Sequence, residues 1–405
     1  MAIIKAIILK NETHRLGDYI REVNVRNREL KVTKLVGLTI DKAFIPSVAN
    51  VIGTDLSNYK VICREQFACS LMQVSRDGKM PVAMYEEDEA IMSPAYPMFE
   101  VIDKTKLLPQ YLMMWFSRSE FDREASYYAV GGVRGSLTWE DFCNMQLPVP
   151  SIERQREIVS EYETLTRRIR LNNQMIEKLE ATAQALYRKT FVDNIDKQNL
   201  PEGWRMGNLY ELCDNILGGD WGKDEPIDNY TTEVYCVRGA DIPIVSRGNI
   251  HSMPRRYILP KNLINRKLKD GNIVIEISGG TPTQSTGRAF YVSDHFLRYI
   301  SKDLICSNFC KLIIVKKHHD TFLYASLKRF YNKGLMFRYE NSSNGINNLD
   351  LESLLREEQI PIPTIDSLIS FSNYYKDILN QITLYGMENE KINELQSLLL
   401  AKMGQ

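Results

Sequence analysis

The chain has 405 residues, 51 of them basic and 51 acidic, with 44% hydrophobic and 25% charged residues. That length accommodates two or three domains, and the composition excludes a disordered, collagen-like or disulfide-stapled chain. Zero net charge gives no overall attraction to a polyanion, so any nucleic-acid contact must come from local charge.

No apolar run reaches the roughly eighteen residues that a membrane span needs. Ala2–Leu9 is short and broken by Lys5, and reads as a strand or packed arm rather than a signal peptide. Seven scattered cysteines lack zinc or CxxC spacing, the pattern of reduced thiols in a cytoplasm.

Residues 1–146 read as a first globular unit. Gly37–Ile40 looks like a strand end. Phe67–Val74 is a buried strand that turns at Ser75–Lys79 into a hairpin partner, Val82–Tyr85. Glu86–Glu89 is an acidic loop. Tyr96–Ile102 is a strand, Pro109–Ala125 a helix, Gly131–Gly135 a loop and Thr138–Met145 a short helix.

Residues 147–195 hold a long helix. The opening Leu147-Pro148-Val149-Pro150-Ser151 stops preceding structure and supplies a helix start at Ser151. Ile158, Tyr162, Leu165, Ile169, Ile176, Leu179, Ala183 and Leu186, with Asn172 between, form a heptad seam that demands a partner helix. That partner lies 213 residues on. Ile360-Pro361-Ile362-Pro363-Thr364 repeats the opening, and Phe371, Tyr375, Ile378, Ile382, Tyr385, Ile392 and Leu399 fall on the same seam. Asn172 and Asn389 on the seam either specify register or mark fraying or a water-filled gap.

Residues 196–359 repeat the first globule. Val234–Ile242 matches the Gly37 strand, and Asn272–Ile277 is a buried strand. The loop Ser278–Arg288 returns through Ala289–Val292. Phe309–Val315 is a strand, Thr321–Tyr331 a helix, and Asn344–Asn348 sits where the Gly131 loop sat. Residues 360–405 are the second long helix. The expected class is α+β: two similar mixed α/β domains with two long helices in an antiparallel coiled coil, and an internal pseudo-twofold repeat.

An enzyme is the competing class. The chain has no Pro-Pro pair for an adenine-gripping loop and no GxxxxGK[ST]. Its histidines have no ligand spacing, and His318-His319 reads as a solvated edge. No catalytic or metal-binding residue is assigned. DNA contact has positive support. Residues 201–348 carry about five more basic than acidic groups, concentrated in the acid-free stretch Arg247–Lys269. Arg247, Arg255 and Arg256 there suit phosphates, or form a solvated face. Thr281, Thr283, Gln284, Ser285, Thr286 and Arg288 offer base-reading side chains on a glycine-flanked tip, or make a plain polar hairpin. Arg76, Lys79 and Arg134 are their first-unit counterparts. Glu86–Glu89 should face away from DNA.

The proline-rich openings, the twin helices, Leu200-Pro201-Glu202-Gly203-Trp204 and the order of elements resemble the specificity subunit of type I restriction–modification systems. The resemblance covers nearly the whole chain, strongly in its repeat and weakly at single residues. It implies two target-recognition domains, each reading one half of a split duplex DNA target, with the helix pair setting their spacing. It implies two methyltransferase subunits carrying S-adenosylmethionine and, for cleavage, two restriction subunits using ATP and Mg. It implies no cofactor in this chain, a cytoplasmic location and no membrane contact. The rival readings are a self-contained DNA methyltransferase or nuclease, and a coiled-coil scaffold that binds protein.

Overall fold

Neither proline nor glycine interrupts Ile152–Phe191, and these 40 residues form one continuous helix. Ile365–Lys402 forms a second of 38 residues, with Gly386 its only glycine. Both start from a side-chain cap: Ser151 Oγ accepts from the Arg154 N–H at 3.3 Å, and Thr364 Oγ1 from the Ser367 N–H at 3.4 Å. The computed structural model describes residues 13–47, 53–72, 74–130, 135–281, 283–343 and 346–404. Ala2–Leu9 and all but the last residue of Gly131–Gly135 lie outside these.

The chain divides into two units. One takes the chain to Arg167 together with the stretch from Ile392; the other is Arg168–Lys391. Each therefore contains a globule and a stretch of both long helices.

In the first unit, Ile20–Glu22, Met98–Val101, Phe67–Cys69 and Val82–Met84 form an antiparallel sheet in that order. In the second, Cys213–Gly218, Cys310–Val315, Ile273–Glu276 and Ala289–Tyr291 do the same. Numbered along the chain, both orders read first, fourth, second, third. The flanking layers correspond too. Val36–Leu38 pairs with Phe44–Pro46, and neighbouring Leu35 bridges Ile91 in parallel. Thr232–Val237 pairs with Arg255–Ile258 and runs parallel to Leu304–Cys306. The repeat expected from the helices thus extends through both globules.

The proline openings do more than stop a preceding element. Gln146–Pro148 is a strand on Thr13–Arg15, and Gln359–Ile362 a strand on Arg205–Asn208. Proline is tolerated because each ribbon has only two strands.

Aromatic side chains tie the helices to the globules. In the second unit, Tyr187 and Phe191 of the first helix and Phe371 and Tyr375 of the second are buried with Phe322 and Leu354 of the globule. In the first unit, Ile158 and Val159 meet Leu399, Leu400 and Met403 over a core containing Phe67, Phe99, Phe116 and Phe142. Burying each large side chain contributes roughly 1.5–3 kcal/mol. The exposed Arg168–Glu388 pair on the helices, at 2.8 Å, contributes about 0–1 kcal/mol. Packing therefore dominates.

Within the second unit the two helices run antiparallel: Arg168 meets Glu388, and Tyr187 meets Phe371. In the first unit Gln396 Nε2 donates to Thr166 Oγ1 at 2.7 Å in the same sense. Asn172 is 1% exposed and donates to Asn389 Oδ1 at 2.9 Å. Asn389 in turn donates to Asn173 at 2.9 Å. This closed amide set favours register specification over fraying.

Four expected elements differ. The strand expected over Val234–Ile242 ends at Val237, and Gly239–Asp241 and Ile242–Val245 are short helical turns. Pro109–Ala125 is two helices, Pro109–Phe116 and Ser119–Ala129. The Ser117 hydroxyl bonds back to the Met113 carbonyl, and Arg118 turns extended to stack on Trp115 at 4.0 Å. The Phe67 strand ends at Cys69, and Val74–Asp77 is a helical turn. Asn344–Asn348 is not a simple loop: Ile346–Leu349 pairs with Glu340–Ser343.

Candidate nucleic-acid interface

The second-unit loop leaves the buried strand Ile273–Glu276 and is held at both feet. At one foot Ser278 and Gly279 pair with Asn348 and Asn347, and the Ser278 hydroxyl donates to Asn348 Oδ1 at 2.5 Å. At the other, Arg288 donates from Nε and Nη2 to the buried Glu276 carboxylate at 2.8 and 2.6 Å. These bonds hold the guanidinium charged, above its ordinary pKa. Between the feet, Thr281 and Gln284 exchange two backbone hydrogen bonds at 2.7 and 3.2 Å. The Thr286 hydroxyl donates to Glu340 Oε1 at 2.6 Å. Gly287 has φ +95°, and a side chain there would strike Met336.

This geometry sorts the six candidates. Thr281 and Thr283 are exposed at the tip, with Gln284 half-buried beside them. Ser285 and Thr286 are buried, and the Arg288 fork is filled by Glu276. The last three brace the loop; expecting them at base edges is corrected by their burial and bonding. A braced tip loses little conformational entropy on binding, which favours selective contact.

The basic stretch divides in the same way. Arg256 is 4% exposed, donates to the Trp221 carbonyl at 2.8 Å, pairs with Asp224 and lies 4.1 Å over the Trp221 ring. It cannot reach a phosphate without abandoning these, so that expectation is also corrected. Arg247 is bidentate to Glu180 of the first long helix, at 3.0 and 2.8 Å, and serves docking of the globule. Arg255 is exposed, 3.9 Å from Glu233. It stays available because so long and exposed a pair is weak. In the first unit Arg76 pairs with Asp77 at 2.7 Å and Lys79 with Asp41 at 3.3 Å. Both cations are about half exposed or more, so a phosphate competes with these pairs at small cost. Arg134 lies outside the described residues.

The two arginines should separate in experiment. Arg255→Ala is expected to lower the salt slope of DNA binding by about one and leave the melting temperature unchanged. Arg256→Ala should leave the slope and cost about 2–4 kcal/mol in lost hydrogen bonds and stacking. Salt titration and thermal melting of both variants check this; a slope loss on Arg256→Ala would return it to the phosphate.

Sequence reading missed the hairpin beside the loop. Glu340 fixes Thr286 and accepts from Asn347 Nδ2 at 3.2 Å, while Asn341 opposes Asn348 across the ribbon. A signal was present in the sequence: Asn-Gly, the dipeptide at 344 and 345, is the pair that most favours a tight hairpin connection.

The signature of the type I restriction modification DNA specificity domain matches residues 74–181 and again 201–396, well over half of the chain. The chain belongs to this family of DNA specificity domains. The fold resembles that of the type I restriction–modification S subunit from M. genitalium, at 12% identity over 97% of this chain and 95% of that one, with a TM-score of 0.56. The HsdS subunit from Thermoanaerobacter tengcongensis aligns at 16% identity over 97% and 96%, with a TM-score of 0.37. A chain of a type I R-M system, studied for its complex assembly and conformational transition, aligns at 17% identity over 97% of each chain, with a TM-score of 0.45. At these identities the likeness is one of fold, and of these three the M. genitalium subunit carries it. No curated protein matches the chain. The two matched stretches of the specificity-domain family contain every candidate residue named above.

Proposed function

We propose that the chain is the DNA specificity subunit of a type I restriction–modification complex, each unit reading one half of a bipartite duplex target. One observation carries this: the family signature occurs twice, over two globules of the same strand order. A doubled reader suits a doubled target. Phosphate contacts from Arg76, Lys79 and Arg255 would position the units, and Thr281, Thr283 and Gln284 would read base edges. The helix pair would set the spacing between half-sites.

Catalysis falls to partners in this reading. The sequence lacks the Pro-Pro loop of an adenine methyltransferase and any Walker lysine motif. Two methyltransferase subunits would bring S-adenosylmethionine; two restriction subunits, where cleavage occurs, would bring ATP and Mg. This chain would hold no cofactor and act in the cytoplasm, where its DNA lies. Among the described residues no helix is long and apolar enough to cross a membrane.

The test is a block exchange. The boundaries follow the fold: residues 209–350 leave the Arg205–Asn208 and Gln359–Ile362 ribbon with the host and keep the paired strands Glu340–Ser343 and Ile346–Leu349 together. A hybrid carrying another family member's block should change one half of the methylated target and retain the other. Methylation mapping that found both halves altered would show that the units do not read independently. Specific retention of protein with no DNA selectivity would favour the scaffold reading.

A further inference from the structure

The repeat assigns a matched pair of specificity positions. We infer that Asn341 in the second unit and Tyr128 in the first occupy equivalent positions of the repeat, each beside the segment that follows its central strand, and contact base edges of the two half-sites. The inference rests on the DNA-reading function proposed above.

The equivalence is one of repeat position and of neighbouring contact, although Tyr128 lies in the helix Ser119–Ala129 and Asn341 in the strand Glu340–Ser343. At the offset of 213 residues, Gly135 corresponds to Asn348 and Tyr128 to Asn341. In the first unit the Ser75 hydroxyl, in the turn after the central strand, donates to the Gly135 carbonyl at 3.4 Å. In the second, Ser278, also just beyond the central strand, donates to Asn348. Both halves thus bring the segment after the central strand against the same later segment. Tyr128 and Asn341 lie in that later segment, seven residues before the bonded position in each half.

Asn341 is exposed and opposes Asn348, which opposes Ser278. Directly opposed residues share a sheet face, so the three line one face of the ribbon. Glu340, on the other face, is bonded to Thr286 and fixes this ribbon to the reading loop. Asparagine pairs in bidentate fashion with adenine N6 and N7.

In the first unit the place is aromatic. Tyr127 is 78% exposed, Tyr128 42% and Val130 75%, and the two tyrosine rings lie 5.9 Å apart. Their helix, Ser119–Ala129, packs on the Val74–Asp77 turn that carries Arg76. The surrounding acids are mostly neutralised: Asp122 by Lys42 at 2.8 Å, Glu120 by Arg123 at 3.1 Å, and Asp77 by Arg76. Glu124 is half-buried, and burial raises its pKa. An uncharged aromatic surface of this kind meets thymine methyls and sugars, with the hydroxyl reaching phosphate. Different chemistry at one repeat position would let two similar domains read different half-sites.

The experiment selects bound duplexes from a randomised bipartite library with the full-length chain, comparing wild type, Asn341→Ala, Tyr128→Ala, Tyr128→Phe and Gln284→Ala. Asn341→Ala should weaken discrimination at one base pair of one half-site by roughly 5- to 150-fold. Tyr128→Ala should relax the other half-site only, and Tyr128→Phe should keep most of the wild-type preference. Both positions are exposed, so melting temperatures should stay within a degree or two of wild type. Selection of the wild-type motif by both alanine variants, with Gln284→Ala relaxed, would overturn this inference and leave the DNA-reading function standing. A wild-type chain that selects no motif would overturn both. A Tyr128→Ala variant that keeps its motif but loses a co-purifying protein would overturn the first-unit half by making the patch a protein interface.

Discussion

Replacing Gly386 by alanine is expected to destabilise the second unit by about 1.5–5 kcal/mol, although Ala is the better helix former by about 1 kcal/mol. Gly386 lies within the second long helix, and an added Cβ would fall on the Arg247 carbonyl. The opposing atom is backbone, so no side-chain rotation relieves the clash. Gly248, at φ +84°, is in turn packed against the Thr383 carbonyl, where an added Cβ would come within 2.4 Å. Either the turn or the helix must withdraw. Withdrawal strains the Arg247–Glu180 bridge and the hydrogen bond from the Ile250 N–H to Glu390 at 2.7 Å. Overpacking of this kind costs typically 1–3 kcal/mol, and a lost bond to a buried carboxylate adds about 1.5–3 kcal/mol. These terms outweigh the helix-propensity gain. Hydrogen exchange should accelerate at residues 242–250 while the Ser119–Ala129 helix is unchanged, and preference for one half-site should be lost. A raised melting temperature would show that the close approach is absent.

The periodic features were the legible ones. The seam from Ile158 to Leu186 and its echo from Phe371 to Leu399 depend on spacing alone, and spacing survives as written. So did the long strands and the doubled plan. Boundaries of short elements were less legible, because Ser117 and Arg118 end a helix through tertiary contacts that no local pattern carries. The candidate site was read correctly as a loop but not residue by residue. An arginine destined to brace and one free to meet a phosphate share one letter. What separates Arg255 from Arg256 is strand alternation, which turns one out and the other onto Trp221. What separates Gln284 from Arg288 is Glu276, twelve residues back and facing the same foot of the loop. Polar residues cluster both where a surface reads and where a loop is held, and only partners distinguish the two.

Arg288 and Glu276 offer the sharpest test of that distinction. Glu276→Ala is expected to cost about 3–5 kcal/mol, because it leaves a largely buried guanidinium without its carboxylate. The side chain of Arg288 is 19% exposed, so residual hydration should hold the cost toward the lower end. Glu276 also lies close against Gly239 and Gly279, where an added Cβ would meet its carboxylate. The loop's foot would therefore loosen along with the ion pair. Glu276→Gln keeps the shape but exchanges charge-assisted hydrogen bonds for neutral ones about half as strong, so its loss should be intermediate. The decisive variant removes both charges. A buried pair replaced by apolar residues of similar volume is often neutral or stabilising, so Glu276→Leu with Arg288→Met should recover most of the stability lost by Glu276→Ala. If Arg288 only braces the loop, this double variant should also recover the wild-type DNA preference. Thr281, Thr283 and Gln284 would still stand on a folded tip. If Arg288 instead turns to a guanine in the complex, the double variant should fold well and lose one base pair of specificity, worth about 1–3 kcal/mol. Melting temperature and duplex selection measured on the same preparations separate the outcomes. A stable double variant with relaxed selectivity would move Arg288 from the loop's scaffold to its reading surface.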